Sequence, residues 1–285
     1  MVSYRRLLLL VSIPLFLMGG CNGVKMPEKN ISLATIKGVP DSAWKKLSEK
    51  KIFFGHQSVG FNIIEGLEDI MRENHQIRLN IVKIDNPADF NAPLFAHAWI
   101  GENTDPQSKI DAFTNFMEKA IGDKADIAFF KFCYVDVTAK TDINKVFDDY
   151  KKAVSRLKKR YAETTFIYVT VPLTSKPSGV KGWVKKTKNL VKKIGGRPVF
   201  DYYDNIKRSQ FNEMLREEYD GKDPVFDLAK IESTFPDGRR ASFTKDGKTY
   251  YSMVPDYTYD GGHLNELGRK IAAEQLLFLL ANLFQ

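Results

Sequence analysis

Cysteine is nearly absent from this chain: Cys21 and Cys133 are the only two in 285 residues, and histidine occurs only four times. With no Cys-x-x-Cys or His-x-x-x-His spacing, a metal site would need Asp85, His97 and Asp105 to converge from one irregular stretch. No metal and no cofactor is expected. Long hydrophobic runs are lacking too. Leu7–Leu17 is broken by Ser12 and Pro14 and falls short of the ~20 apolar residues that a membrane helix needs. Neither an internal repeat nor a nucleic-acid motif is present, so nucleic acid is not an expected partner.

What stands at the N-terminus reads as an export signal. Arg5 and Arg6 precede the apolar run, and Leu17-Met18-Gly19-Gly20-Cys21 sets small residues before a cysteine. This resembles a bacterial lipoprotein signal, in which residues 1–20 are removed and Cys21 becomes the lipid-bearing first residue. The resemblance implies a lipid bilayer as partner and a cell-envelope location on the periplasmic side. Asn22 beside the anchor favours the outer membrane. Residues 21–40, with Pro27, Gly38 and Pro40, are then a tether to one domain at 41–285. With Cys21 acylated, Cys133 has no disulfide partner and reads as a small buried hydrophobe. Loss of Arg5 and Arg6 from the 43 basic residues leaves 41 against 35 acidic ones, a net charge of +6. The lysines are scattered apart from one cluster between Lys181 and Lys193, which suits a solvated helix face or an anionic surface.

Beyond the tether, strand-like and helix-like stretches alternate. An edge strand at Ile31–Ile36 and a short helix at Asp41–Leu47 lead in. Lys51–Phe54 is an apolar strand, Gly55 breaks its period, and Val59, Ile63, Ile64, Leu67 and Ile70 carry a helical one. Ile77–Ile84 alternates as a second strand. Asp85–Gln107, rich in Asn, Asp, Pro and Gly, predicts a long functional loop. Ser108–Gly122 is a helix, and Ala125–Val137 has the near-continuous apolar pattern of a strand buried on both faces. A helix at Asn144–Tyr161 and a strand at Thr165–Val171 follow. A basic helix through Trp183 and a short strand at Val199-Phe200 lead to a helix at Asn205–Tyr219 and a strand at Pro224–Leu228. Turn residues at Pro236-Asp237-Gly238 and Asp246-Gly247 predict a small β-hairpin before the final helix, Gly268–Leu283. Repeated strand–helix units imply an α/β fold with a mostly parallel sheet and helices on both faces.

Two stretches carry chemistry. Ser58 follows the first core strand and opens a helix, the edge of an α/β sheet at which ligands bind. Serine is equally a preferred helix N-cap. Near the other end, Asp260-Gly261-Gly262-His263-Leu264-Asn265 sets a carboxylate three residues before a histidine. At that spacing the carboxylate can take the imidazole Nδ1–H and leave Nε2 as a base. The alternative is that Asp260 or Asn265 caps the final helix and His263 only packs.

Together, Ser58 after the first strand and Asp260-x-x-His263 before a terminal helix resemble the SGNH (GDSL-type) hydrolase superfamily. The resemblance implies a three-layer α/β/α flavodoxin-like fold and ester hydrolysis through an acyl-enzyme. Ser58 would be the nucleophile, His263 the base and Asp260 its orienting acid. Two departures stand out. The usual Gly-Asp-Ser is here Gly55-His56-Gln57-Ser58, and Lys131-Phe132-Cys133-Tyr134-Val135-Asp136 replaces the usual Gly-x-Asn-Asp after the third strand. Ser58, Gly101 and Asn103 are the candidate oxyanion donors, and His56, Gln57, His97 and Trp99 the candidate substrate-binding residues. An ordinary α/β-hydrolase fits less well, because His56 occupies the first glycine of Gly-x-Ser-x-Gly. The expected function is a serine esterase acting on a carboxylic ester such as O-acetyl groups of a polysaccharide or cell-wall glycan. An O-acyltransferase with the same triad and a catalytically silent glycan-binding lipoprotein are the alternatives.

Overall fold

A computed structural model of the chain describes residues 32–176 and 200–284. The export signal, Cys21, the first part of the tether, the lysine cluster with Trp183, and Val199 lie outside the described residues. Six strands make the central sheet: β1 (Lys51–His56), β2 (Ile81–Lys83), β3 (Leu94–Trp99), β4 (Ile127–Phe130), β5 (Thr165–Val169) and β6 (Val225–Phe226). Their spatial order is β2-β3-β1-β4-β5-β6, and every neighbouring pair is parallel. Leaving aside the edge strand β2, this is the flavodoxin-like order. Helices α1 (Asp41–Ser48), α2 (Ser58–Glu73), α6 (Leu228–Glu232) and α7 (Glu266–Asn282) cover one face. Helices α3 (Pro106–Phe116), α4 (Ile143–Arg160) and α5 (Tyr202–Tyr219) cover the other. The mostly parallel three-layer α/β/α fold expected from the alternation is the fold observed.

Strand β1 anchors both cores. Ile52 and Phe54 point toward α2, and Phe53 toward α3, where the rings of Phe113 and Phe116 stack on it at 5.9 and 5.2 Å. Each fully buried phenylalanine contributes up to ~3 kcal/mol of transfer free energy. Gly55 does not end this strand. A Cβ there would lie 2.8 Å from Ile100 Cδ1 and 3.2 Å from Phe130 Cβ, so glycine lets β1 pass between its neighbours and run on to His56. Helix α2 then begins at Ser58.

Several elements differ from the sequence expectation. The largest difference is β3, which lies inside the expected loop and pairs with β1 from Lys51↔Leu94 to His56↔Trp99. Ala96, His97 and Ala98 have weak strand propensity. Pairing along both edges and burial on both faces decide their conformation. The second strand shrinks to β2, and the described part of the expected edge strand Ile31–Ile36 is irregular and leads into a 3-10 turn at Ile36–Gly38, with the Ala34 backbone bonded to the Gln275 side chain at 3.0 and 2.7 Å. Helix α3 ends at Phe116 and passes into a π-helical turn, Met117–Ile121. The expected strand Ala125–Val137 stops at Phe130. Beyond it the chain turns, because the Asp136 carboxylate accepts the N–H groups of Cys133 at 2.6 Å and Thr104 at 2.9 Å. The late strand divides into β6 and α6. The hairpin forms as expected, with β7 (Ser242–Lys245) and β8 (Lys248–Tyr251) joined through Asp246-Gly247, both at positive φ (50° and 73°).

Candidate active site

The winding reverses at β1: from β1 the chain goes out to β2 and β3 on one side, then crosses from β3 past β1 to β4 on the other, which places the switch point of the sheet at the carboxyl ends of β1 and β4. Ser58 stands there. The N-cap of α2 is Gln57, whose side chain makes no cap bond, and Ser58 is the first helical residue. Its hydroxyl therefore does not cap the helix, and among the described residues it makes no hydrogen bond, none to His263 included. Catalytic hydrogen bonds are commonly long in unliganded sites. The Ser58 N–H lies in the open first turn, where no intrahelical acceptor reaches it and the helix dipole attracts negative charge. Gln57 has a fastening role: its Nε2 donates to the carbonyls of Ile100 at 3.2 Å and Gly101 at 2.8 Å.

The loop before α7 is built around Asp260. Its Oδ1 accepts the N–H groups of Gly262 at 2.9 Å and His263 at 2.8 Å, and its Oδ2 faces His263 Nδ1 at 2.6 Å. Burial alone would raise the Asp260 carboxyl. The hydrogen bonds from the His263 ring and from the two amides outweigh it and hold the group below its ordinary value. An ionised carboxylate only accepts, so Nδ1 carries the proton and Nε2 is the open position of the neutral ring. The cap of α7 falls to Asn265, whose Oδ1 accepts from Gly268 N at 3.0 Å, which leaves Asp260 to the histidine. Thr258 completes the loop by donating to the His263 carbonyl at 2.6 Å and accepting from Gly261 N at 2.9 Å.

Two ties bring this loop to the crevice. Ser175 N, after β5, donates to Gly261 O at 2.8 Å, and Leu264 N donates to Asn62 Oδ1 at 3.2 Å. Asn62 is four residues after Ser58 and so shares its helix face. Helices α2 and α7 begin at the same end of the sheet and approach closely at Gly66, where a Cβ would lie 2.3 Å from the Arg269 carbonyl. The residue after His263 is thereby bonded to the helix that Ser58 opens, one turn beyond the serine.

The remaining candidates separate. His56 and His97, expected on the substrate surface, are buried below the site at 0% and 4% exposure. Their rings stack, with His56 Nε2 2.9 Å from His97 Nδ1. Burial, then the His97 ring, lowers His56 to about 3, and burial, then Lys83, lowers His97 to about 4. Both are neutral packing groups at pH 7. Trp99, by contrast, is 55% exposed at the end of β3, and Tyr259, 54% exposed, stacks on His263 with 6.2 Å between centroids. Gly101 sits at φ +56°, and a Cβ there would lie 2.6 Å from Lys109 N, so only glycine fits. Asn103 accepts from Lys109 Nζ at 3.0 Å, which turns its carbonyl oxygen toward the fully buried Lys109–Asp136 ion pair (2.5 Å). Among the described residues no group of three His, Cys, Asp or Glu side chains is arranged to hold a metal ion.

Sequence reasoning passed over Asn62, Thr258 and Tyr134. Asn62 was readable from its i+4 spacing to Ser58. Nothing local marks the other two. Tyr134, in the loop after β4, places its ring edge-on to His263 (5.7 Å, 74°).

No family model matches the chain, and no curated protein matches it in sequence. Solved structures do. The chain is similar to a candidate GDSL-like lipase from Parabacteroides merdae ATCC 43184 (10% identity, TM-score 0.48, 82% of this chain and 96% of that one). It is similar to the acetyl xylan esterase AlAXEase (16%, 0.42, 79% and 96%). It is also similar to the periplasmic domain of a Salmonella ser. Paratyphi A lipopolysaccharide acetyltransferase (12%, 0.40, 82% and 86%). What the site can do is read from its own atoms.

Proposed function

We propose that this chain is a serine esterase of the SGNH type. The observation that carries the reading is the 2.6 Å contact between Asp260 Oδ2 and His263 Nδ1, in a loop tied to the helix that Ser58 opens. Ser58 Oγ attacks an ester carbonyl while His263 Nε2 takes its proton, and Asp260 holds the tautomer and stabilises the imidazolium. The proton then passes to the leaving alcohol, and water hydrolyses the acyl-enzyme by the reverse relay. The Ser58 N–H is the first oxyanion donor, with Gly101 and Asn103 as further candidates.

The substrate class within this proposal is an O-acetylated polysaccharide or cell-wall glycan. Trp99 and Tyr259, both more than half exposed beside the crevice, offer flat faces to sugar rings. The N-terminal signal supports an extracytoplasmic enzyme held to the membrane through an acylated Cys21. Ser58→Ala should abolish hydrolysis of p-nitrophenyl acetate; unchanged turnover in that variant overturns the mechanism.

A second reading draws on the lone Ser58 hydroxyl, which lacks a hydrogen bond to His263. On that reading the chain is a glycan-binding lipoprotein without activity. A fluorophosphonate probe separates the two, because a binding module leaves Ser58 unlabelled.

A further inference from the structure

Tyr134 combines three features that the reading above leaves unused. The residue is only 4% exposed, yet its hydroxyl makes no hydrogen bond among the described residues. Among the described residues the sealed polar atoms lacking a partner are Tyr219 Oη and Glu232 Oε1; the Tyr134 hydroxyl is not one of them, so the oxygen reaches solvent-accessible space. The ring is positioned from both sides. Its edge meets His263, and a Cβ on Gly262 would lie 2.8 Å from the hydroxyl, so the His263 loop closes directly onto the phenol. From below, the fully buried Arg208 donates Nε–H to the Tyr134 carbonyl at 2.8 Å and to the Val137 carbonyl at 3.0 Å. Its guanidinium lies 5.7 Å from the ring centroid.

We propose that the Tyr134 hydroxyl is a catalytic hydrogen-bond donor to the substrate's carbonyl oxygen as that oxygen becomes negative. The proposal rests on the serine-esterase reading. As the bond from Ser58 Oγ to the carbonyl carbon forms, the C=O π pair moves onto oxygen and the serine proton passes to His263 Nε2. The phenol shares its proton with that oxyanion without giving it up. Collapse restores the C=O bond and breaks the bond to the leaving alcohol, which takes the proton from His263, and Tyr134 ends as it began. Of the other candidates, Asn103 has its Oδ1 fixed on Lys109 Nζ, and Gly101 is held through its carbonyl by Gln57. Tyr134 supplies a second donor in addition to the Ser58 N–H, from the loop after β4 onto which the His263 loop closes. Burial first, then the Asp260 carboxylate, raises its ionisation well above the ordinary tyrosine value, against the opposing pull of Arg208. It therefore stays a donor at neutral and mildly alkaline pH.

Tyr134→Phe removes one oxygen and keeps the ring. With wild-type Ser58 shown to react with fluorophosphonate, Y134F should lose 10²- to 10³-fold in kcat with little change in KM. The loss should be equal for p-nitrophenyl acetate and ethyl acetate, with an unchanged Tm. Wild-type kcat in Y134F, or a loss confined to ethyl acetate, overturns the proposal, the latter because it assigns the phenol to the leaving group. An arylboronic acid, which forms a tetrahedral serine adduct, should bind at least ten-fold more weakly to Y134F, and equal affinity likewise overturns it. An unlabelled wild-type Ser58 with S58A turnover unchanged brings down the esterase reading itself, a result distinct from either.

Discussion

Two imidazole pairings flank the start of one helix, and they are opposites. His56, two residues before Ser58, faces another histidine in the apolar interior, with no carboxylate in its network. His263, on the loop tied to Asn62, faces a carboxylate at the mouth of the crevice. The first pair is driven neutral by burial. The second is equipped to take up a proton, because Asp260 stabilises the cation that results. The same side chain is a packing element in one place and a candidate base in the other. Surroundings, not residue type, assign the role.

The sharpest test of that contrast is activity. Asp260→Asn should lower kcat for p-nitrophenyl acetate by ~10⁴, since an amide no longer fixes the productive tautomer. His97→Asn in the buried pair should leave kcat within about ten-fold of wild type. A loss as large as that of D260N would erase the distinction. Next in size is stability. His56 packs against Phe54 in a tilted pair at 4.8 Å and fills the space against Gly60, where a Cβ would lie 2.3 Å from the His56 Cβ. Removing such a buried ring in His56→Ala should lower the unfolding free energy by ~3 kcal/mol in urea denaturation. A change below ~1 kcal/mol would show that the pair is not structural.

The smallest expected effect is a pH slope. His56 near 3 and His97 near 4 are both depressed below their unfolded value of 6.5. At pH 7 both states of the protein hold these rings neutral, and the full stability is present. As pH falls below 6.5 the unfolded chain binds protons that the folded one refuses, so stability is lost progressively toward pH 4 and below. The depressed Asp260 adds a loss of the same sign only in more acidic solution. The part of the urea midpoint owed to these two rings should therefore fall from pH 6.5 to 4, while the Glu232 carboxyl, raised by burial to about 8, acts in the opposite sense, costing stability as pH rises toward 8. His97→Phe should flatten that fall, and a slope unchanged by it would remove the buried pair as its source.

Much of the fold was legible because its patterns are local. The apolar run at β1, the helical period from Val59, the long amphipathic α4 and the Asp-Gly hairpin turn each depend on residues a few positions apart. Strand β3 was not legible. Leu94–Trp99 carries two alanines and a histidine and sits among Asn, Pro and Gly, so its local signal is that of a loop. Only pairing with β1 on one side and β2 on the other makes it a strand. The tail of the Ala125–Val137 run failed for the converse reason: its apolar pattern reads as strand, but the buried Asp136 carboxylate turns the backbone after Phe130.

The site divides along the same line. By itself the sequence determined that a serine opens a helix after a strand, and that an aspartate stands three residues before a histidine ahead of the last helix. Those are matters of spacing along the chain, and chain geometry preserves spacing. Only the tertiary structure decided that Asn265 caps the final helix and leaves Asp260 to His263, that Asn62 holds their loop beside Ser58, and that His56 and His97 sink together into the core. It alone brought Tyr134 against His263 from a loop more than a hundred residues away in the chain. Burial, hydrogen-bond competition and ring packing depend on which groups meet in space, and the distance along the chain between those groups carries no trace of that meeting.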